Sequence, residues 1–365
     1  MMDIRSVFLP NFTIGAADVY KKVPEIAGDY GKSAVLIGGK TALAKAEEAI
    51  RSALQGSAID IIGSVWYGGE ATEANVDKLM ADPTVQAADM VFGVGGGRAL
   101  DTVKVVGDRM DKPVFTFPTI ASNCAPVTKV TVFYNDDHTM KGLIFTKTPP
   151  KHTFINTQII AEAPREYIWA GIGDALSKQY ESAFSSRGKD LPHADQIGVD
   201  IGHNCAAPLL KYGQQAMADV DAGKSSTALA EVILNIIATT GLVSVLVNND
   251  YNSAVAHAVY YGSTFLPAAE GGKERLHGQM VAYGTLIQLL VDQKQEAFEK
   301  VYAFNQSIGL PVCLADIWAD TPELKKIMLD HAVQQRDLDV TPCVVTRDLL
   351  ESAVDQLEAY HQQQA

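Results

Sequence analysis

The stretch from residue 89 to residue 104 constrains the fold more than any other part of the chain. An apolar run at 90–94 is followed by three consecutive glycines and then by an amphipathic segment. Strand, glycine turn and helix in this order favour a phosphate site. Residues without a β-carbon let backbone N–H groups approach a ligand, and a helix N-terminus attracts negative charge. The spacing departs from Gly-x-Gly-x-x-Gly because Arg98 takes the last position, so the turn alone is weak evidence.

Strand-like and helical segments alternate from residue 12 to about residue 156. Buried-strand runs occur at 34–37, 59–62, 90–94 and 114–117, with helical spacing at 41–54 and 76–80 between them. This alternation predicts a parallel sheet with right-handed crossovers, in which ligands gather at the carboxyl ends of the strands. The glycine turn and the segment 119–122 both follow such ends. Runs at 130–134 and 143–145 flank a turn-rich sequence, which predicts a hairpin with His138 as a solvated turn residue.

The predicted secondary structure changes after Pro164. Helical periodicity dominates at 167–185, 195–218, 226–247, 252–264 and 277–293. We therefore predict an α/β domain over 1–160 and an all-α domain over 161–365. The uncharged segment 232–247 is shorter than a bilayer span and carries several polar residues, so we expect a buried helix there.

Composition excludes several classes of function. A net charge of −13 disfavours nucleic acid and membrane surfaces as partners. The four cysteines lack Cys-x-x-Cys spacing, so they suggest neither a disulfide framework nor a thiolate metal site. The first ten residues show no basic-then-apolar leader pattern, and we expect a cytoplasmic protein.

Three residues of the second half are candidate metal ligands. Asp174 is predicted to open a helix in apolar company, and His257 and His277 lie in or at the start of apolar helices. Aspartate and two histidines suit zinc or ferrous iron and would leave a position open for a substrate oxygen. Each residue also has an ordinary structural reading, as a helix N-cap or a hydrogen-bonded core histidine. Local spacing does not decide between these readings.

Taken together, the motifs resemble those of the iron-containing, or group III, alcohol dehydrogenase superfamily on its glycerol dehydrogenase branch. The resemblance spans nearly the whole chain and rests on the segments 95–104, 118–122, 171–176, 256–258, 276–278 and 281–284. It implies a dehydroquinate synthase-like fold, in which the 1–160 domain binds a dinucleotide and the helical 161–365 domain binds the metal, and a small-molecule substrate. It also implies NAD or NADP as cofactor and one divalent metal ion, with zinc favoured over iron. Asp174, His257 and His277 would then serve as both the metal ligands and the catalytic residues. A metal ion would act as a Lewis acid while hydride passes between the substrate and the nicotinamide.

The same resemblance implies a set of cofactor-binding residues around the glycine turn and the following strand ends. They are Gly95, Gly96, Gly97, Arg98, Ala99, Leu100, Asp101, Thr119, Ile120, Ala121, Ser122, Thr128, Val130 and Tyr134. The large helical surfaces further suggest a homo-oligomer.

Three departures from the family pattern bear on specificity. Gly39 and Lys40 stand where glycerol dehydrogenases carry Asp-Lys, and the lost carboxylate removes repulsion toward a ribose 2′-phosphate, which makes NADP use plausible. Cys124 stands where the family has an aspartate that contacts the polyol. Tyr260 replaces a second histidine of the His257 segment. These changes predict a substrate pocket of different chemistry.

Other functions stay open at this point. The Cys124 variant resembles a sub-branch that reduces 2-oxo acids, and Lys129 could pair with their carboxylate, although a solvent-facing lysine is the alternative. A dehydroquinate synthase-type lyase is a more distant alternative, disfavoured because only Lys273 and Arg275 supply positive charge near the proposed ligands. A metal-free binding protein is a third alternative.

Overall fold

The computed structural model describes residues 6–136, 139–269, 272 and 274–364, so the predictions for His138 and Lys273 lie outside the described residues. By packing, the chain divides into two compact units. The sheet unit comprises 1–165 and 218–241, and the helical unit comprises 166–217 and 242–365. The predicted domain boundary near residue 160 stays a prediction. The packing division itself falls after Arg165, and the 218–241 segment joins the sheet unit.

The sheet unit is built on six parallel strands in the order β1-β8-β5-β4-β2-β3. A separate antiparallel hairpin pairs β6 with β7, as the sequence predicts. The predicted α/β fold class is confirmed. The strands are β1 (Phe12–Gly15), β2 (Ser33–Gly38), β3 (Asp60–Trp66), β4 (Met90–Gly95), β5 (Val114–Pro118), β6 (Val130–Tyr134), β7 (Met140–Phe145) and β8 (His152–Asn156).

Helices connect these strands and pack apolar side chains against the sheet. The central strands β2 and β4 are buried almost throughout, because parallel strands carry helices on both faces. The helices of this part are α1 (Val23–Ala27), α2 (Lys40–Leu54), α3 (Glu73–Met80), α4 (Pro83–Ala87), α5 (Gly97–Arg109) and α6 (Thr157–Ala161).

From residue 165 onward the described residues form helices and turns, without strands, as predicted. Two expectations are wrong in detail. The predicted helix over 195–218 is two helices that break at 203–205, just after Gly202. Asp174 lies in the middle of its helix rather than at the start. The helices are α7 (Arg165–Ser185), α8 (His193–Gly202), α9 (Ala206–Asp221), α10 (Thr227–Leu234), α11 (Thr240–Leu246), α12 (Val255–Ser263), α13 (His277–Val291), α14 (Gln295–Ile308), α15 (Pro322–Ala332) and α16 (Arg347–Gln364).

One continuous helical stretch, 227–246, is long and apolar enough to cross a membrane by length and composition. It comprises α10, a π-helical turn over Asn235–Thr239 and α11. The most apolar part of this stretch is 61% buried inside the protein, which is typical of a core helix. This burial agrees with the buried helix that the sequence predicts over 232–247.

Candidate functional site

The glycine turn follows β4 at the carboxyl edge of the parallel sheet. Gly95 has φ +148°, a backbone conformation that side chains with a β-carbon rarely adopt. Gly96 is the N-cap of α5, so the N–H groups of the first helical turn, which have no acceptor within the helix, lie directly after it. The N–H of Thr119, at the end of β5, donates to the Gly95 carbonyl at 3.2 Å. The two predicted cofactor segments are therefore adjacent, and the turn presents backbone donors suited to a phosphate.

A buried lysine supports the neighbouring loop. Lys104 of α5 is only 2% exposed, and its ammonium group forms a salt bridge with Asp101 at 2.9 Å. The same ammonium group donates to the carbonyls of Ala125, Thr128 and Val130 at 2.8–3.1 Å. Lys104 therefore holds the loop that carries two predicted cofactor contacts, a role that sequence reasoning missed.

The predicted residues of the turn differ in what their side chains can reach. Leu100 and Ala99 are buried, and the Asp101 carboxylate accepts from the Val132 N–H at 2.9 Å besides its bond to Lys104. Burial raises the pKa of Asp101, and the Lys104 charge opposes that shift. The geometry thus gives Asp101 a structural contact inside the protein. Its role as a cofactor contact stays a prediction.

Further predicted cofactor residues lie along β6 and the loop before it. The Arg98 guanidinium lies over the Tyr134 ring at 5.6 Å and 3.4 Å from the Glu70 carboxylate. The Thr128 hydroxyl is buried without a hydrogen-bond partner in the described part of the chain. A buried hydroxyl in that state retains a free donor for a ligand.

The site proposed for the adenosine ribose lies at the N-cap of α2, where Gly39 supplies no carboxylate and leaves space for a side chain. Gly39 is the N-cap of α2 at φ −70°, and a β-carbon added there would meet Ala42 and Tyr67 at 3.8 Å, an ordinary contact. The ammonium group of Lys40 lies 4.6 Å from the centre of the Trp66 ring, and the lysine is exposed.

Asp174, His257 and His277 converge in the helical unit. One ligand atom from each lies within 4.8 Å of the other two. The Asp174 Oδ1 is 3.2 Å from the His277 Nε2 and 3.6 Å from the His257 Nε2. Two ligands of a tetrahedral zinc ion, each at about 2.0–2.1 Å, lie roughly 3.4 Å apart. The described donor set therefore fits a divalent cation in number, chemistry and spacing.

Glycines beside the ligands allow the helices to approach this closely. A β-carbon on Gly173 of α7 would lie 2.3 Å from the Gly278 carbonyl oxygen of α13. A β-carbon on Gly278 would lie 1.8 Å from the Ala170 carbonyl oxygen. Each glycine is the immediate neighbour of a cluster residue, Asp174 or His277. Because neither glycine has a side chain, α7 and α13 approach closely enough for the Asp174 carboxylate to meet the His277 imidazole.

A buried carboxylate holds the second imidazole. The Glu181 Oε2 lies 2.6 Å from the His257 Nδ1, and the Glu181 side chain is fully buried. The Glu181 Oε1 accepts from the backbone N–H groups of Ala254 and His257 at 2.7 and 2.9 Å, which caps α12. The His257 Nε2 is left facing Asp174.

The charges of the cluster stabilise one another. Burial raises the pKa of Asp174, but the neighbouring His277 and His257 outweigh burial and hold that pKa well below its usual value. Burial lowers the pKa of His257, and the Glu181 carboxylate outweighs this effect and raises it. These neighbouring charges favour the ionised form of Asp174, the form in which a carboxylate binds a metal ion.

The predicted substrate residues lie in both units. The Tyr260 ring packs edge-on against His277, with ring centres 4.2 Å apart. Cys124 and Lys129 are half-buried in the sheet unit, where the Cys124 carbonyl accepts from the Val127 N–H. Arg275 donates to the carbonyls of Pro267, Ile317 and Trp318, so its charge is used in holding the chain.

Glu181 was missed although a sequence signal existed. Asp174, Lys178 and Glu181 are charged residues at i, i+4 and i+7 on one helix, and all three are buried. Charges repeated on one face of an otherwise apolar helix indicate a polar network in the interior. Lys178 completes this network by donating to the Asn252 carbonyl at 2.9 Å.

Comparison with known proteins agrees with this architecture. Residues 10–157 match the family model "Iron-containing alcohol dehydrogenase". A glycerol dehydrogenase of Pseudomonas putida is 32% identical over 337 residues, 90% of each chain. Hydroxycarboxylate dehydrogenase A of Escherichia coli K12 is 30% identical over 331 residues, again 90% of each. The crystal structure of a probable glycerol dehydrogenase from Sinorhizobium meliloti 1021 superposes with a TM-score of 0.83 at 26% identity, covering 99% of this chain and 100% of the other.

The chain belongs to the iron-containing alcohol dehydrogenase family, on its glycerol dehydrogenase branch. The resemblance inferred from the sequence motifs is confirmed. The protein is an alcohol oxidoreductase that acts on a small molecule.

Proposed function

We propose that the protein interconverts a small polyol, glycerol or a 1,2-diol, and its carbonyl product with NAD or NADP as hydride carrier. The observation that carries the proposal is the convergence of Asp174, His257 and His277. These three residues would hold one divalent cation, with zinc preferred over iron. When bound, the cation supplies a Lewis acid for the substrate oxygen.

The chain's own residues supply the remaining requirements. The buried network around Glu181 keeps the His257 imidazole oriented, and the Tyr260 ring fixes one side of His277. His277 is 40% exposed while Asp174 and His257 are each 8% exposed, so the cluster is open to solvent beside His277. A substrate oxygen would reach the cluster from that side. The backbone N–H groups of the glycine turn would bind the cofactor diphosphate.

We propose further that NADP is accepted. Support comes from Gly39, which places no carboxylate at the N-cap of α2, and from the exposed Lys40 that follows it. A ribose 2′-phosphate would meet attraction instead of repulsion there. A cytoplasmic location and a homo-oligomeric state remain predictions.

Reduction of 2-oxo acids is the second candidate function. It is favoured by Cys124, which adds no negative charge to the predicted pocket segment, and by Lys129 in the same segment. The hydroxycarboxylate dehydrogenase relative is consistent with this substrate class. A substrate carboxylate would pair with the lysine.

A panel of substrates tests both candidates. Purified protein is stripped of metal with a chelator, refilled with Zn²⁺ or Fe²⁺, and assayed by nicotinamide absorbance with NAD and NADP. Glycerol, 1,2-diols and 2-hydroxy acids are tested for oxidation, and 2-oxo acids for reduction. We expect metal-dependent turnover of the polyols. Turnover confined to the hydroxy and oxo acids would favour the second candidate, and full activity after stripping would contradict both.

A further inference from the structure

The network behind the candidate metal cluster carries an inference that deepens the proposed function and rests on it. Glu181 is fully buried and lies two helical turns from Asp174, and the hydrogen bonds of its carboxylate among the described residues go to no predicted substrate or cofactor residue. Its two carboxylate oxygens have different hydrogen-bond partners. Oε1 accepts from two backbone N–H groups, whereas Oε2 contacts only the His257 Nδ1 among the hydrogen bonds of the described residues.

We propose that Glu181 is a positioning residue that fixes the His257 tautomer, keeping the proton on Nδ1 and the Nε2 lone pair directed at the cation. A carboxylate accepts hydrogen bonds and does not donate them, and its Oε1 already accepts two backbone N–H groups, so we assign the Nδ1 as the donor of the 2.6 Å contact. The Nε2 is then the nitrogen available to a cation, and it is the nitrogen that faces Asp174.

The same geometry defines a nearly isosteric variant that separates this role from the structural one. In Glu181→Gln, the amide oxygen must stay at the Ala254 and His257 backbone N–H groups, because an NH₂ group there would face two donors. The NH₂ group is then placed against the His257 Nδ1. It donates to that nitrogen and forces the proton onto Nε2, which blocks the ligand position. The helix cap survives while the tautomer reverses.

The expected effect is a loss of metal affinity of about 10- to 100-fold, the usual range for removing a partner behind a ligating histidine. Zinc affinity is measured by competition with a chromogenic chelator on the full-length protein. The melting temperature is measured with and without zinc. If Glu181 had a merely structural role, Glu181→Gln would lower the melting temperatures of the zinc-free and the zinc-bound protein equally. If Glu181 is a positioning residue, the variant lowers only the zinc-bound melting temperature, so zinc raises the melting temperature less than in wild type.

Glu358→Gln is the matched control. Glu358 accepts from the Leu314 backbone N–H at 2.8 Å in the same unit and touches no cluster residue among its described hydrogen bonds. This variant removes one negative charge and should leave zinc affinity at the wild-type value.

The outcomes separate this inference from the proposed function. If wild-type protein binds no divalent metal, the proposed function fails first. If wild type binds zinc and Glu181→Gln binds it equally well, only the positioning role is overturned. Should the variant fail to fold, ¹⁵N chemical shifts of the histidine side chains in zinc-loaded wild type decide the matter. A proton on Nδ1 of His257 supports the role, and a proton on Nε2 overturns it.

Discussion

The glycine turn of the sheet unit and the Asp174, His257 and His277 cluster of the helical unit are candidate ligand sites that are built in opposite ways. The turn offers backbone N–H groups from a few consecutive residues, at a strand end where the chain must bend in any case. The cluster offers side chains from three helices, separated by as many as 103 positions, and each is held by buried partners. The turn can bind a ligand because its glycines lack β-carbons that would cover the backbone N–H groups. The cluster can bind a ligand only because a carboxylate and two imidazoles are present.

The difference predicts how each site fails. Removing one ligand from the cluster should abolish its chemistry and leave the fold in place. Replacing a glycine of the turn with alanine should weaken dinucleotide binding, by an amount that depends on how far the backbone must move to accept the β-carbon.

The largest effect is expected for His257→Ala. Loss of a ligand forfeits several kcal/mol of charge stabilisation, so we expect kcat to fall by about 10³-fold or more, together with the metal content. Turnover and elemental analysis measure the two quantities, and circular dichroism checks the fold. His203→Ala, an exposed histidine in the same unit, is the control. A His257→Ala protein with wild-type metal content would show that the three residues are not a set of metal ligands.

A smaller effect is expected for Gly95→Ala. The native φ of +148° costs a residue with a β-carbon about 1–3 kcal/mol, so the turn should relax and dinucleotide Kd should rise by roughly 10- to 100-fold. Calorimetric titration with NAD and NADP measures the change. Gly56→Ala serves as the control, because its φ of +76° also disfavours a β-carbon while the residue lies between α2 and β3, outside the predicted cofactor segments. Unchanged dinucleotide affinity in Gly95→Ala would show that the diphosphate does not bind this turn.

The two sites also differ in how far the sequence reveals them. The glycine turn was predictable because strand, turn and helix are all encoded within sixteen consecutive residues. Asp174, His257 and His277 could be selected only through the family resemblance, since their convergence depends on helix contacts such as Gly173 against Gly278.

The fold shows the same limit. Strands β2, β4, β5 and β6 were predicted closely because apolar runs between turns are a local signal, whereas the run predicted at 59–62 covers only the first part of β3. No strand was predicted at β1 or β8, and the packing of 218–241 with the sheet unit was not predicted either. That packing depends on distant contacts, including the Gln158 side-chain amide donating to the Gly223 carbonyl and the Thr157 hydroxyl beside Ser225. The break between α8 and α9 was missed as well, although Gly202 followed by His and Asn is a recognisable helix end.

A change in cofactor preference is expected for Gly39→Asp. A carboxylate at the start of α2 would accept hydrogen bonds from ribose hydroxyls and repel a 2′-phosphate, so the NAD-to-NADP ratio of kcat/KM should rise by roughly tenfold. Gly39→Asn has the same size without the charge and should shift the ratio less. The Gly39→Asp variant adds a side-chain contact to a predicted cofactor site that otherwise offers backbone groups. An unchanged ratio would mean that Gly39 does not lie at the ribose.

The smallest effect on activity is expected for Asp101→Asn, although this residue belongs to the glycine motif itself. Its carboxylate pairs with Lys104 and accepts from the Val132 N–H inside the protein, so the substitution should leave cofactor KM within about twofold. The free energy of unfolding should drop by about 3–5 kcal/mol, because the Lys104 charge loses its buried partner. Urea unfolding and cofactor titration measure the two quantities on the same preparation. A large rise in KM with unchanged stability would make Asp101 a cofactor contact. The turn would then be a site of side chains as well as backbone, and its contrast with the cluster would weaken.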